Sequence, residues 1–126
     1  MKPLVAFLAV AAVLASTAAV GALRLKPIMH DWKAKVASVE PMVMGGAPYD
    51  EAEVRRTLAA LIGDTRDIEA GITGKSAQAA EIKSRFSQFE ADASATLQAL
   101  NAQDHAKTHF QRMRGDCRSC HDAFAN

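Results

Sequence analysis

The chain has 126 residues with 15 Lys or Arg and 14 Asp or Glu, so its formal net charge is +1. This balance, without a basic stripe, argues against a nucleic-acid-binding protein. Aromatic residues are scarce, at 6%, and alanine is abundant, which favours helices over sheet in a single domain.

The N-terminal residues have the pattern of an export signal. Lys2 precedes an uncharged run over residues 3–23, and small residues offer cleavage after Ala18 or Ala22. We therefore predict a signal peptide over residues 1–22 and a folded domain over residues 23–126. An uncleaved anchor is the alternative, because about 20 apolar residues can cross a bilayer. Either outcome places the domain outside the cytoplasm.

Two amphipathic helices are predicted after this segment. Apolar residues recur at three- and four-residue spacing after Pro27, which predicts a first helix that begins there. Pro41 should kink this helix or end it near Glu40. Asp50 is the predicted N-cap of the second helix, with Glu53 as the partner in a capping box, and Gly71 and Gly74 mark its end. The apolar stripe predicted for this helix contains Val54, Leu58, Leu61, Thr65 and Ile68.

Two further helices complete the predicted fold. Ser76 is a candidate cap for the third helix, and a turn over residues 101–104 leads to the fourth, with Asp104 as a candidate cap. The apolar stripes predicted for these helices contain Ile82, Phe86, Phe89, Ala93, Leu97 and Leu100 in the third, and Phe110, Met113, Cys117, His121 and Phe124 in the fourth. Short connections between four helices predict an all-α, antiparallel four-helix bundle.

Residues 117–121 read Cys-Arg-Ser-Cys-His, the C-x-x-C-H pattern of covalent haem attachment. The thiols of Cys117 and Cys120 can each add across a haem vinyl group, and the His121 imidazole can ligate the iron. We predict one covalently bound haem c per chain, in the last turns of the fourth helix. On that helix we expect Cys117 and His121 to share a face, with Cys120 on its flank.

A C-x-x-C pair also occurs in zinc sites and redox dithiols, which leaves two alternatives to haem. His105 and His109 are the histidines that could complete a zinc set with Cys117 and Cys120. However, His109 and Cys117 are eight residues apart, about 12 Å along one helix. One straight helix therefore does not bring all four side chains to one metal, and we expect surface histidines at these two positions.

A four-helix bundle with C-x-x-C-H near the end of its last helix resembles the cytochrome c-prime family, the class II c-type cytochromes. The resemblance covers roughly residues 25–126. It is carried by the corner Ala47-Pro48-Tyr49-Asp50, by Phe110 seven residues before Cys117, by Asp122-Ala123-Phe124 after the histidine, and by Glu81-Ile82 at the start of the third helix. Lys83 stands where many members have Trp, and the connection between helices two and three is shorter than in many members.

The family resemblance also bears on the second axial position of the iron. Low-spin members use a methionine from the first helix, whereas high-spin members leave the position open behind an apolar side chain. Counted back from Pro48, Met29 stands about where low-spin members carry that methionine, so the resemblance implies it as a second axial ligand. The alternative is that Met29 is ordinary core packing. His30 lies about 100° round the helix, off the apolar stripe.

Three functional hypotheses follow from these features. The first is a periplasmic electron carrier that exchanges single electrons with a redox partner protein or a small donor or acceptor. The second is a five-coordinate haem protein that binds nitric oxide or carbon monoxide, for sensing or scavenging. The third is a haem-free helical bundle that binds another metal.

Neither catalysis nor stable membrane contact is expected of the folded domain. No Ser/His/Asp arrangement is evident, and the clustered carboxylates fall on solvated helix faces, so we do not expect an enzyme. Membrane contact is expected only if the N-terminal segment is uncleaved. The family resemblance also implies a possible homodimer through helices one and two.

Overall fold

A computed structural model describes residues 25–124 as four α-helices. The helices are α1 (Leu25–Val43), α2 (Glu51–Gly71), α3 (Ala77–Gln98) and α4 (Gln103–Phe124). The predicted all-α four-helix bundle is therefore confirmed. The predicted signal peptide over residues 1–22 lies outside the described residues. Within residues 25–124, no helix combines the length and apolar character needed to cross a bilayer.

Side-chain caps begin two of the helices as the sequence predicts. The Oδ1 atom of Asp50 accepts a hydrogen bond from the Glu53 backbone N–H at 3.1 Å at the start of α2. The Ser76 Oγ atom accepts one from the Ala79 N–H, also at 3.1 Å, at the start of α3. Each cap satisfies one backbone donor that has no partner within its helix.

Four helix boundaries differ from the predicted ones. Helix α3 ends at Gln98, so Leu100 lies in the connection that follows it. Helix α1 begins at Leu25, two residues before Pro27, and it continues through Pro41 to Val43. Pro41 lies in the last turn, and its carbonyl accepts a hydrogen bond from the Gly46 N–H at 2.6 Å. The backbone turn that ends the helix therefore lies beyond the proline. Gly45 then adopts a φ of 88°, which favours glycine. Helix α4 begins at Gln103, so Asp104 lies in its first turn rather than at its cap.

The core is built from the apolar stripes of all four helices. Helix α1 packs against α2 and α4, and α3 packs against α2 and α4, so the helices form a closed ring. Short connections over residues 44–50, 72–76 and 99–102 make consecutive helices antiparallel. The side chains that are fully enclosed include Val39, Val54, Leu58, Leu61, Ile82, Phe110 and Met113. This arrangement brings the beginning of α1 beside the end of α4.

Candidate haem site

The C-x-x-C-H residues occupy the last two turns of α4. The Cys120 side chain is buried, at 6% exposure, whereas Cys117 is half-buried and His121 is exposed. The prediction that His121 lies on the apolar stripe of α4 is therefore wrong, and Cys120 is the buried residue instead. Inward positions on α4 alternate by three and four residues from Phe110 through Met113 and Cys117 to Cys120, and His121 lies about 100° further round.

An open cavity of about 530 Å³ lies between the beginning of α1 and the end of α4. We call it the motif cavity. From α1 it is lined by Leu25, Lys26, Met29, His30 and Lys33, and from α4 by Cys120, His121 and Phe124. The structure thus places Met29 and His121, which are 92 positions apart in the sequence, at one cavity.

A second, much smaller space of about 10 Å³ adjoins the cysteines, and we call it the aromatic crevice. Its walls are Met29 and Trp32 from α1, Arg85, Phe86 and Phe89 from α3, and Asp116, Cys117 and Cys120 from α4. The Trp32 ring stacks on Phe89 with centroids 4.8 Å apart and meets the edge of Phe86 at 5.8 Å. Met29 and Cys120 line both spaces, so the motif cavity and the aromatic crevice share part of their walls.

The chemistry of these walls fits a porphyrin. The motif cavity combines apolar and sulfur-containing side chains with four basic ones, namely Lys26, His30, Lys33 and His121, and none of the described residues that line it is acidic. Haem is a flat apolar ring with two carboxylates, so it matches both features. The volume also falls within the roughly 300–1,000 Å³ of small-molecule sites in proteins.

The imidazole of His121 is accessible for ligation. Its side chain is 62% exposed, and its Nδ1 atom lies 4.0 Å from Oδ1 of Asp122. This separation is too long for a hydrogen bond. The exposed ring therefore suits iron ligation by its accessibility.

The electrostatics of the two cysteines do not favour a redox dithiol. Both are free thiols. Burial, together with the nearby charge of Asp116, raises the pKa of the Cys117 thiol to about 11. Burial also raises the pKa of Cys120, although the positive charge of Arg85 opposes the change. Reactive dithiols need a lowered thiol pKa, because the thiolate is the nucleophile.

A zinc site is equally unsupported by the arrangement of side chains. Over residues 25–124, no three side chains of the His, Cys, Asp and Glu types come together in a way that could hold a metal ion. His105 is exposed and His109 half-buried, both far up α4 from the cysteines.

Comparison with protein families decides between the remaining alternatives. The sequence matches the family described as Cytochrome C' over residues 24–125. The chain belongs to the cytochrome c-prime family. Comparison with curated proteins and with solved structures gave no significant match. As a cytochrome c-prime, the protein is a c-type cytochrome whose cofactor is haem, and the haem-free alternative is set aside.

Several residues of this cytochrome c-prime site were not identified from the sequence. His30, expected away from the site, lines the motif cavity together with Lys26 and Lys33. These three residues recur at spacings of four and three along α1, which is the signal that could have found them. No spacing in the sequence indicates Arg85, because its place at the site depends on how α3 packs against α4.

A pair of carboxyl groups lies between α3 and α4, next to the first cysteine. Burial, reinforced by a hydrogen bond to Asp92 and by its charge, raises the pKa of Asp116 to about 7. For Asp92, burial opposes ionisation, but hydrogen bonds from Asp116 and Gln88 hold its pKa below the ordinary value. The Oδ2 atom of Asp116 is buried without a donor. The pair therefore shares one proton near neutral pH.

Proposed function

We propose that this cytochrome c-prime is a periplasmic electron carrier with one haem covalently attached through Cys117 and Cys120. His121 and Met29 are the proposed axial ligands. When bound, haem supplies a one-electron couple between its ferric and ferrous states. Ligation by His and Met raises the reduction potential, which suits a carrier.

The observation that carries this proposal is that Met29 and His121 line one cavity from two different helices. Met29 is half-buried and also lines the aromatic crevice beside both cysteines. Met29 thus borders both spaces at the motif, as Cys120 does. Electron transfer makes and breaks no substrate bond, so the proposal requires no acid, base or nucleophile, and we propose no enzymatic activity.

The proposed periplasmic location rests on the N-terminal segment that precedes the folded domain. Lys2 and the uncharged run over residues 3–23 support export, and c-type haem attachment in bacteria occurs outside the cytoplasm. We expect the mature protein to begin near residue 19 or 23. Mass spectrometry of its N-terminus distinguishes a cleaved signal from an uncleaved anchor, and full-length protein in the cytosolic fraction would contradict export.

A five-coordinate protein that binds nitric oxide or carbon monoxide is the second candidate. Met29 lies in the second turn of α1, close to the beginning of the helix, and it faces a cavity of about 530 Å³. Helix ends fray, so a ligand held there is displaced more readily than one in the middle of a helix.

The spin state of the purified protein distinguishes the two candidates. With Met29 as a ligand, the wild type is low-spin and binds carbon monoxide slowly, because the gas must displace sulfur. Met29→Ala then becomes high-spin, binds carbon monoxide readily and has a lower reduction potential. Met44→Ala, at the other end of α1, is the matched control and should leave the spectrum unchanged. A high-spin wild type that Met29→Ala does not alter would favour the gas-binding candidate.

A further inference from the structure

Arg85 of α3 contacts the haem-attachment segment of α4 at two points. Its Nη1 atom donates a hydrogen bond to the Ser119 Oγ atom at 2.6 Å. Its guanidinium also lies over the Phe124 ring, 5.5 Å from the centroid. Ser119 stands between the two cysteines and Phe124 is the last residue of α4. One side chain of α3 therefore contacts both of the last two turns of α4.

The remaining nitrogens of Arg85 show where its charge lies. Nη2 pairs with Oε1 of Glu81, one turn earlier on α3, at 3.1 Å. Nε is buried and has no hydrogen-bond acceptor. The side chain is 30% exposed, and it lines the aromatic crevice with Cys117 and Cys120. A guanidinium stays protonated at all ordinary pH values, so a permanent positive charge borders the attachment residues.

We propose that Arg85 is a positioning residue for the haem-attachment segment and that its charge raises the reduction potential of the haem held there. This inference rests on the proposed attachment through Cys117 and Cys120. The ferric state carries one more positive charge than the ferrous state, so a nearby cation destabilises it more. The effect is strengthened by burial, because a low dielectric constant screens charges less than water does.

Glu81 opposes the charge of Arg85 and provides a variant of opposite sign. It pairs with Arg85 at the surface, with its side chain 55% exposed. Removal of the Glu81 charge should leave more of the positive charge of Arg85 uncompensated and so raise the reduction potential of the haem. Removal of the Arg85 charge should lower this potential.

The test is the midpoint potential of the haem-loaded protein, measured by spectroelectrochemistry at low ionic strength and fixed pH. We expect Arg85→Gln to increase the ferric-to-ferrous ratio at a fixed potential by about threefold or more, and Glu81→Gln to decrease it. Arg66→Gln is the matched control, because Arg66 joins α2 to Glu90 of α3 at 2.9 Å and does not line either space at the motif. This control should leave the ratio unchanged.

The positioning role has its own readout in Arg85→Lys. A lysine keeps the charge but has neither the planar fork nor the stacking surface for Ser119 and Phe124. The potential should therefore stay near the wild-type value, while the circular dichroism of the haem in the Soret region changes. An unchanged Soret circular dichroism spectrum would overturn the positioning role.

The outcomes separate this inference from the proposed attachment. If Arg85→Gln does not yield folded protein, Glu81→Gln decides alone, and an unchanged or lowered potential overturns the charge effect. An Arg85→Gln potential equal to that of Arg66→Gln also overturns it, while the haem remains attached. Wild-type protein that loses its colour in acidic acetone would instead overturn the attachment, and this inference with it.

Discussion

Replacement of Trp32 is predicted to be among the most damaging changes in the core. This residue of α1 is 3% exposed and joins three helices beside the aromatic crevice. Its ring packs on Phe86 and Phe89 of α3, and its Nε1–H donates to Oδ2 of Asp64 on α2 at 3.2 Å. Trp32→Ala removes all three contacts at once.

The size of the loss follows from burial. Truncation of an enclosed aromatic residue to Ala typically costs about 3–5 kcal/mol, against a total stability of about 5–15 kcal/mol. Trp32→Phe retains a ring for the aromatic stack but loses the donor to Asp64. That carboxylate is 41% exposed and remains paired with Lys35 at 3.2 Å, so we expect a smaller loss of about 1–2 kcal/mol.

Urea unfolding followed by far-ultraviolet circular dichroism measures both losses, since Trp32 is the one tryptophan and fluorescence disappears with it. Trp32→Ala should lower the melting temperature by about 12–40 °C, at roughly 4–8 °C per kcal/mol for a domain of this size. Tyr49→Ala is the matched control, because this ring is 45% exposed and its loss should cost under about 0.5 kcal/mol. A Trp32→Ala protein within about 1 kcal/mol of the wild type would refute the account of the crevice wall.

Three further changes test separate parts of the structure. Asp50→Ala removes the acceptor for the Glu53 N–H and should destabilise the protein by about 1 kcal/mol in urea unfolding. Phe110→Ala empties a fully enclosed site and should cost about 3–5 kcal/mol and lower the yield of haem-loaded protein, as measured by absorbance per milligram. The third concerns pH. Because burial holds the pKa of Asp116 at about 7, against an ordinary value of 3.8, the folded protein binds a proton that the unfolded chain releases between about pH 4 and pH 7. Wild-type stability should therefore fall as pH rises through this window, and Asp116→Asn should remove most of that fall in melting temperatures recorded across it.

The features that the sequence predicted well are local ones. Asp50 and Ser76 cap their helices because a side-chain oxygen needs a backbone donor only three residues away. The stripe of α2, from Val54 to Ile68, is buried throughout because a single period of 3.6 residues determines which face points inward. Neither feature depends on where another helix lies.

The features that the sequence predicted poorly depend on packing between helices. The spacing between Cys117 and His121 predicted that both residues lie on the buried face of α4. Packing against α1 and α3 instead buries Cys120 and leaves His121 exposed. The contact of Arg85 with Ser119 spans 34 positions and requires the observed register of α3 against α4. Pro41 falls in the last turn of α1, so its missing N–H removes only the bond to the Ala37 carbonyl, and the helix ends two residues later at Val43.

Covalent attachment through the two cysteines is the central claim, and the mass of the denatured protein tests it most directly. Protein purified from a host that exports and matures c-type cytochromes should, after unfolding and removal of free haem, be heavier than its mature polypeptide by one haem. The double variant Cys117→Ala, Cys120→Ala should have the mass of the polypeptide alone, with the same N-terminus as the wild type. A wild-type mass equal to that of the bare polypeptide would contradict the thioether bonds and, with them, the proposed function.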